Sequence, residues 1–197
     1  MYTPERVVKV EGTPYEKGMQ QGERVSELIA NNVEAVRRSV AESKVSEARY
    51  LSVVEENLRY VESTEPDLVD EMRGISAGSK IDFMDIALIN IPAYFLLDII
   101  PSECSPFLAC GEATLDHMTY LAKTRDMRID VQQIVLERKE SNGNFVIETN
   151  GAGILTYPGI GLNSRGLAVT TTGAWSKNIP VDMTDLARTH ILINIHS

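Results

Sequence analysis

Apolar residues recur at helical spacing through most of the first hundred positions. Between residues 14 and 43 they return every three or four residues, with charged residues between them, which predicts a long amphipathic helix. The same spacing over residues 51–61 predicts a second helix. The sequence VVKVEG at residues 7–12 favours a short strand before them. The N-terminal half is therefore predicted to be helical after one strand.

Capping residues bound two further helices. Ser63 or Thr64 can cap a third helix, with Pro66 in its first turn and Gly78 at its exit. Asp82 can cap a fourth helix. These signals place four predicted helices before residue 100.

The pattern changes after residue 103. Four short segments there are rich in Val, Ile, Thr and aromatic residues: MTYLAK, VQQIVLER, NFVIET and GLAVTTT. Asn142-Gly143 lies between two of them and is a strong signal for a β-hairpin. Helices followed by consecutive antiparallel strands predict a single α+β domain, made of a helical piece (1–103) and a β-piece (104–197).

The predicted elements do not amount to a complete two-layer sheet core. The strands are few, and the helical pattern of LARTHILINIHS stops at the last residue. We expect that the chain is part of a longer protein, or that a homo-oligomer or a second chain completes the fold.

The charge distribution bears on the class of partner. The net charge is −9, and residues 1–103 hold 19 acidic residues against 11 Lys and Arg. Because nucleic-acid binding requires a Lys and Arg surface, we expect no nucleic-acid partner. The excess acid is typical of solvated helix faces.

No targeting or cofactor signal is found along the chain. The N-terminus lacks the apolar stretch of a secretory signal, and the run FMDIALINIPAYFLLDII is interrupted by polar residues and proline, so we expect a buried helix and no membrane partner. Two cysteines do not indicate a disulfide framework, which favours a cytoplasmic location. His117, His190 and His196 lack metal-ligand spacing, so we expect no metal and no cofactor.

Cys104 lies at the change of pattern, in the sequence PSECSPF. A lone cysteine is most often an inert core residue, and a Cys104–Cys110 disulfide is a weaker alternative. The functional interpretation is a nucleophile, which needs a base to take the thiol proton. If Cys104 began a new chain, its own α-amino group, with a pKa of about 7.7–8.0, would serve as that base. This explains how the thiol can act without a nearby histidine.

Four stretches in order resemble one known family. The sequence is similar to the acyl-coenzyme A:6-aminopenicillanic acid acyltransferase (isopenicillin N acyltransferase-like) group of N-terminal-nucleophile hydrolases. The resemblance lies in GTPYEKGMQQGERVSELI (12–29), EPDLVDEMRGISAGSKIDFMDIALIN (65–90), ECSPF with TYLAKTRDM, and GLNSRGLAVTTTGAW (161–175).

The resemblance implies an αββα sandwich and self-cleavage of the Glu103–Cys104 bond. Cys104 would then attack an amide or thioester carbonyl of a small molecule and form an acyl-enzyme. Water would complete hydrolysis, and an amine would complete acyl transfer. The family's oxyanion asparagine and its partner arginine are expected from a segment after residue 197.

The resemblance also implies further site residues. Asp126 matches the aspartate that orients the nucleophile's amine, and Lys123 matches an arginine of the bile-salt hydrolase branch. A backbone N–H of Thr172 or Gly173 is expected to face the oxyanion. The sequence departs from the family at Ser105, commonly Thr, at Pro106, and at KTRD, which lacks the usual asparagine two residues before Asp126. From the residues alone, Asp126 reads as an acid at a strand end, salt-bridged or solvated.

Three functions remain as hypotheses. The first is a self-processing amidohydrolase or acyltransferase, with hydrolysis of a small amide ahead of transfer. The second, within the same fold, is an N-acyl lipid amide hydrolase. The third is a non-catalytic or unprocessed relative that acts as a binding or oligomeric scaffold.

Overall fold

A computed structural model describes residues 6–91, 93, 103–126, 130–155 and 159–170. The helices of these residues are α1 (Pro14–Arg24), α2 (Ser26–Glu42), α3 (Glu47–Thr64), α4 (Pro66–Ser79) and α5 (Phe83–Asn90). The strands are β1 (Val7–Glu11), β2 (Glu103–Ala109), β3 (Tyr120–Asp126), β4 (Gln133–Lys139), β5 (Phe145–Gly151), β6 (Ile160–Asn163) and β7 (Ala168–Thr170), with a short 3₁₀ helix at Gly111–Ala113. The α+β class predicted from the sequence is confirmed.

Local capping explains where the helices begin. Thr13 and Glu16 form a capping box at the start of α1, in which the Thr13 hydroxyl accepts from the Glu16 N–H and the Glu16 carboxylate accepts from the Thr13 N–H. The Asp82 carboxylate accepts from the Met84 N–H and caps α5, as predicted. The start of α4 differs from the prediction, since Glu65 occupies the N-cap position without a side-chain cap and Pro66 begins the first turn.

The single helix predicted over residues 14–43 is two helices. Val25 ends α1 and begins α2 with φ −133° and ψ 32°, outside the helical region. Val25 is itself buried, and so is Ile29 in the next turn. Because the apolar face continues across the break, hydrophobic spacing alone predicted one helix, which was wrong.

The strands form two sheets. The larger has the order β1-β4-β5-β6-β7, and the smaller is the antiparallel β2–β3 ribbon. The predicted hairpin at Asn142-Gly143 joins β4 and β5, with Gly143 at φ 80°. The parallel pairing of β1 with β4 was not predicted, and it adds a strand of the N-terminal half to the edge of the sheet formed by the C-terminal half. Strands β2 and β6 were not among the five predicted strands, and with them the two sheets contain seven strands in the described residues.

The helices cover one face of the large sheet. Alternate residues of β1 and β4, including Val8, Val10 and Leu136, are almost fully buried against them. The opposite face carries charged residues such as Lys9 and Glu137 together with exposed apolar residues. Phe145, Ile147 and Leu162 on that face are 38%, 41% and 50% exposed.

Helix α5 is the described part of the long apolar run. Ile86, Ala87 and Ile89 are fully buried within it, as predicted for a core helix. Pro92 and residues 94–100 of the run lie outside the described residues. Among the helices that the structure describes, none has both the length and the apolar character needed to cross a bilayer.

Helices α1 and α4 meet at backbone-to-backbone distance. Gly18 and Gly22 of α1 face Gly74 and Gly78 of α4. A Cβ atom added at Gly18 would lie 2.0 Å from the Glu71 carbonyl oxygen, and one added at Gly74 would lie 2.0 Å from the Tyr15 carbonyl oxygen. Any side chain at these positions would push the two helices apart. Gly18 and Gly22 of the first resembling stretch thus share one packing role with Gly74 and Gly78 of the second.

We predict that Gly74→Ala lowers the free energy of unfolding by at least about 2 kcal/mol, because the new methyl group overlaps rigid backbone of α1. Urea denaturation measures the change. Glu23→Ala on the exposed face of α1 is the control, expected within about 0.5 kcal/mol of wild type. Equal stability of the two variants would show that the helices do not meet at this distance.

Candidate functional site

Cys104 is the second residue of β2 and is half-buried. Its position near the start of a strand agrees with the interpretation from the sequence. Cys110 follows the end of the same strand and is exposed, and no disulfide joins the two. Cys104 thus lies at the end of the ribbon where β2 begins, and its side chain is only partly covered.

The β2–β3 register decides which residues share the face of the thiol. Cys104 pairs with Arg125, and Pro106 pairs with Lys123. Because directly paired residues of an antiparallel ribbon point to the same side, Arg125 and Lys123 lie on the thiol's face. Both are half-buried, whereas Thr124 between them is exposed. Two cationic side chains therefore accompany the thiol.

Asp126 lies on the other face of the ribbon. It pairs with Glu103, the residue before Cys104, and its side chain is exposed. The backbone nitrogen of Cys104 lies between the Glu103–Asp126 and Cys104–Arg125 pairs, so Asp126 is one residue from that nitrogen. This neighbourhood suits contact with the nitrogen of Cys104 rather than with its sulfur.

Arg125 connects the ribbon to the large sheet. A Cβ atom added at Gly159 would lie 3.3 Å from Arg125 Nη1 and 2.7 Å from Thr149 Oγ1, so the guanidinium occupies space that Gly159 leaves open. Strand β3 also lies against β7. The face with the thiol therefore borders the side of the large sheet opposite the helices. Sequence reasoning did not select Arg125 as a site residue. The available signal was its position two residues after Lys123, which places both side chains on the same face of a strand.

Several sequence-predicted residues cannot be placed. Thr172 and Gly173 lie outside the described residues, and so do His190 and His196. Glu103 is described only through its backbone pairing with Asp126. Within the described ranges no three His, Cys, Asp or Glu side chains are grouped as metal ligands.

A second polar region is buried between the helices and the sheet, and sequence reasoning missed it. Arg138 on β4 donates to both carboxylate oxygens of Glu71 on α4, at 2.7 Å and 2.8 Å. It also donates through Nε to Glu140 at 2.9 Å, and Glu140 accepts from Lys17 of α1. Glu148 of β5 lies 3.9 Å from Arg138 Nη1. We call these five residues the ionic cluster.

Electrostatics within the ionic cluster follow from its burial. Burial lowers the pKa of Arg138, but Glu71 in particular more than compensates, so the pKa is raised. Burial raises the pKa of Glu140, but Arg138 and Lys17 outweigh it and the pKa is lowered. Arg138, Glu71, Glu140 and Lys17 are therefore held as ion pairs inside the protein.

An open cleft of about 1060 Å³ adjoins the ionic cluster. It lies between the β1–α1 turn, the start of α4 and the β4–β5 turn, and Lys17, Glu71 and Arg138 line its floor. No residue of β2 or β3 lines it. The cleft is therefore separate from Cys104.

The last residue of the second resembling stretch, Asn90, has a structural role as a buried amide. Asn90, which ends the second stretch, donates to the Gly153 carbonyl oxygen and accepts from the Leu155 N–H, both at 2.7 Å. Gln21 of α1 accepts from the Gly153 N–H at 2.8 Å. These bonds tie the segment after β5 to the helices.

No protein-family model matches this sequence.

We predict that Cys substitutions at Ser105 and Thr124 form a disulfide on mild oxidation, since these residues are directly paired in the ribbon. Cys104 and Cys110 are first replaced by Ala. Thiol titration before and after reduction measures the bond. The control pair, Ser105→Cys with Ala122→Cys, is offset by two residues at roughly 7–8 Å and should not close. Faster closure of the control pair would show a shifted register.

We predict that Glu71→Gln lowers the free energy of unfolding by about 2–4 kcal/mol, because the buried Arg138 guanidinium loses its bidentate anionic partner. Chemical denaturation measures the loss. Asp70→Asn is the control, because Asp70 pairs with Arg73 on the surface, and its cost is expected to stay below about 1 kcal/mol. Equal costs would mean that Glu71 does not neutralise Arg138.

Proposed function

We propose that this chain is a self-processing cysteine amidohydrolase or acyltransferase of the N-terminal-nucleophile type, with Cys104 as nucleophile and a small amide or thioester as substrate. The observation that carries the proposal is the position of Cys104. It is half-buried near the start of a strand, at a ribbon end that borders the large sheet. The ordered resemblance of four stretches supports the same function.

Self-processing begins with attack of the Cys104 thiol on the carbonyl carbon of Glu103. The C–S bond forms, the C–N bond breaks, and the thiol proton passes to the departing α-nitrogen. Water then hydrolyses the thioester, which leaves a carboxyl group on Glu103 and a free thiol and α-amine on Cys104. The cut supplies an α-amine that can serve as the base for the thiol.

In turnover the α-amine of Cys104 takes the thiol proton as the sulfur attacks the substrate carbonyl. The acyl group is transferred to the sulfur, and the leaving amine takes the proton. Water releases the acid, or an acceptor amine forms a new amide. Hydrolysis is proposed ahead of transfer, as the simpler fate of the acyl-enzyme.

The neighbours of Cys104 have separate proposed roles. Asp126, one residue from the Cys104 nitrogen, orients the α-amine as a hydrogen-bond acceptor. Lys123, on the thiol's face, stabilises negative charge that develops on the attacked carbonyl oxygen. A backbone N–H of Thr172 or Gly173 is proposed as a further donor to that oxygen, on the resemblance alone.

We predict that the wild-type protein, purified after expression, contains a chain beginning Cys-Ser-Pro-Phe, whereas Cys104→Ala stays uncut because it lacks the nucleophile. Intact mass and N-terminal sequencing measure the products. Cys110→Ala is the matched control and should be cut as the wild type is, since Cys110 is an exposed thiol after the same strand.

The opposite result has a definite meaning. If the wild type and Cys104→Ala both have the mass calculated for their uncut chains, self-processing does not occur, and the chain is an unprocessed relative that serves as a scaffold. Cutting that persists in Cys104→Ala would assign the scission to a contaminating protease.

A further inference from the structure

Glu148 is a buried carboxyl group with little to stabilise its charge. It lies on the helix-facing side of β5 and is 1% exposed. Neither of its carboxylate oxygens has a hydrogen-bond partner. Its ion-pair contact is Arg138 Nη1, at 3.9 Å, which is beyond hydrogen-bond distance. Glu148 is thus the member of the ionic cluster whose carboxylate has the weakest electrostatic partner and no hydrogen bond.

The cations of the cluster are already committed to other carboxylates. Arg138 is held on one side by both oxygens of Glu71 and on the other by Glu140. Lys17 donates to Glu140. Two cations therefore face three carboxylates when Glu148 is ionised, and the buried cluster carries one negative charge too many. With Glu148 protonated, the cluster is neutral.

The remaining neighbours of Glu148 do not stabilise a negative charge on its carboxyl group. Its partner on β4 is Leu136 and its partner on β6 is Gly161. On its own strand and face, Val146 and Asn150 are fully buried, and both polar atoms of the Asn150 amide lack hydrogen-bond partners. Among the described residues, the charges that face Glu148 are Lys17 from α1, Glu71 from α4, and Arg138 and Glu140 from β4 and its end.

We propose that Glu148 is a buried proton-binding site that makes the packing of α1 and α4 on the sheet depend on pH. The packed form holds Glu148 neutral. Ionisation places an uncompensated charge between Lys17 of α1, Glu71 of α4 and the sheet, and so weakens their contact. This inference is independent of Cys104 and of the proposed function.

The direction of the effect follows from the proton balance. Burial in particular raises the pKa of Glu148 to about 7, opposed by Arg138 and assisted by Glu71 and Glu140. An unfolded glutamate ionises near a pKa of about 4.3. Between these values the folded chain holds a proton that the unfolded chain has released. The contribution of Glu148 to stability is therefore greatest below the unfolded pKa, falls as pH rises towards about 7, and levels off above it.

We predict that the unfolding equilibrium constant of the wild type rises by about 10- to 100-fold more between pH 5 and pH 8 than that of Glu148→Gln. The amide has the shape of the neutral acid and does not titrate. Urea denaturation at several pH values measures this difference. Glu137→Gln is the matched control, because Glu137 lies on the opposite face of the sheet and pairs with Lys9, and its pH dependence should match the wild type.

A direct titration keeps the proposal testable if Glu148→Gln folds poorly. Carbon-13 NMR of the glutamate carboxyl groups should show one resonance that titrates near neutral pH and is absent in Glu148→Gln or in the milder Glu148→Asp. Amide protection factors in α1 and α4, which are corrected for the intrinsic rise of exchange with pH, should fall above that midpoint. A Glu148 midpoint below about 5, or an unchanged pH dependence in Glu148→Gln, would overturn the proposal.

Discussion

The backbone contact between α1 and α4 is the constraint on which the rest of this structure depends. Gly18 and Gly74 let the two helices approach until carbonyl oxygens fill the space of absent side chains. That approach brings Lys17 and Glu71, which neighbour these glycines, over the same part of the sheet. Arg138 can then be neutralised from α4 while Glu140 is neutralised from α1. A wider spacing would leave buried charges without partners, so close packing and charge balance are one requirement.

Short-range patterns predicted most helices and the β4–β5 hairpin, because spacing, caps and Asn-Gly turns act over a few residues. They did not predict the break at Val25, where the buried face continues through a non-helical residue. Nor did they predict that Val7 pairs with Val135, since parallel pairing between distant segments leaves no local signal. The glycines of α1 and α4 were visible as a motif, but only the fold shows that they face one another.

The candidate site was also predicted only in part, because local patterns can be read from the sequence and the pairing of distant segments cannot. The position of Cys104 near a strand start follows from the local change in pattern. The side of the ribbon that each neighbour takes depends on register, and this is why Arg125 was missed although it pairs with Cys104. The ionic cluster was missed because the sequence reasoning gave Arg138 and Glu148 no role within their predicted strands. Arg138 lies two residues after Leu136, and Glu148 lies two residues after Val146, and this spacing was the available signal that both point inward.

The two polar regions lie on opposite faces of one sheet, and β5 contributes to both. Glu148 points towards the helices and the ionic cluster, whereas Thr149 points to the other face, where its hydroxyl lies beside Gly159 and the Arg125 guanidinium. Adjacent residues of a strand cannot move independently, because ladder bonds to β4 and β6 hold both. The helical layer therefore anchors the surface against which the Cys104 ribbon packs. Charge balance on one side of the sheet is a condition for defined geometry on the other.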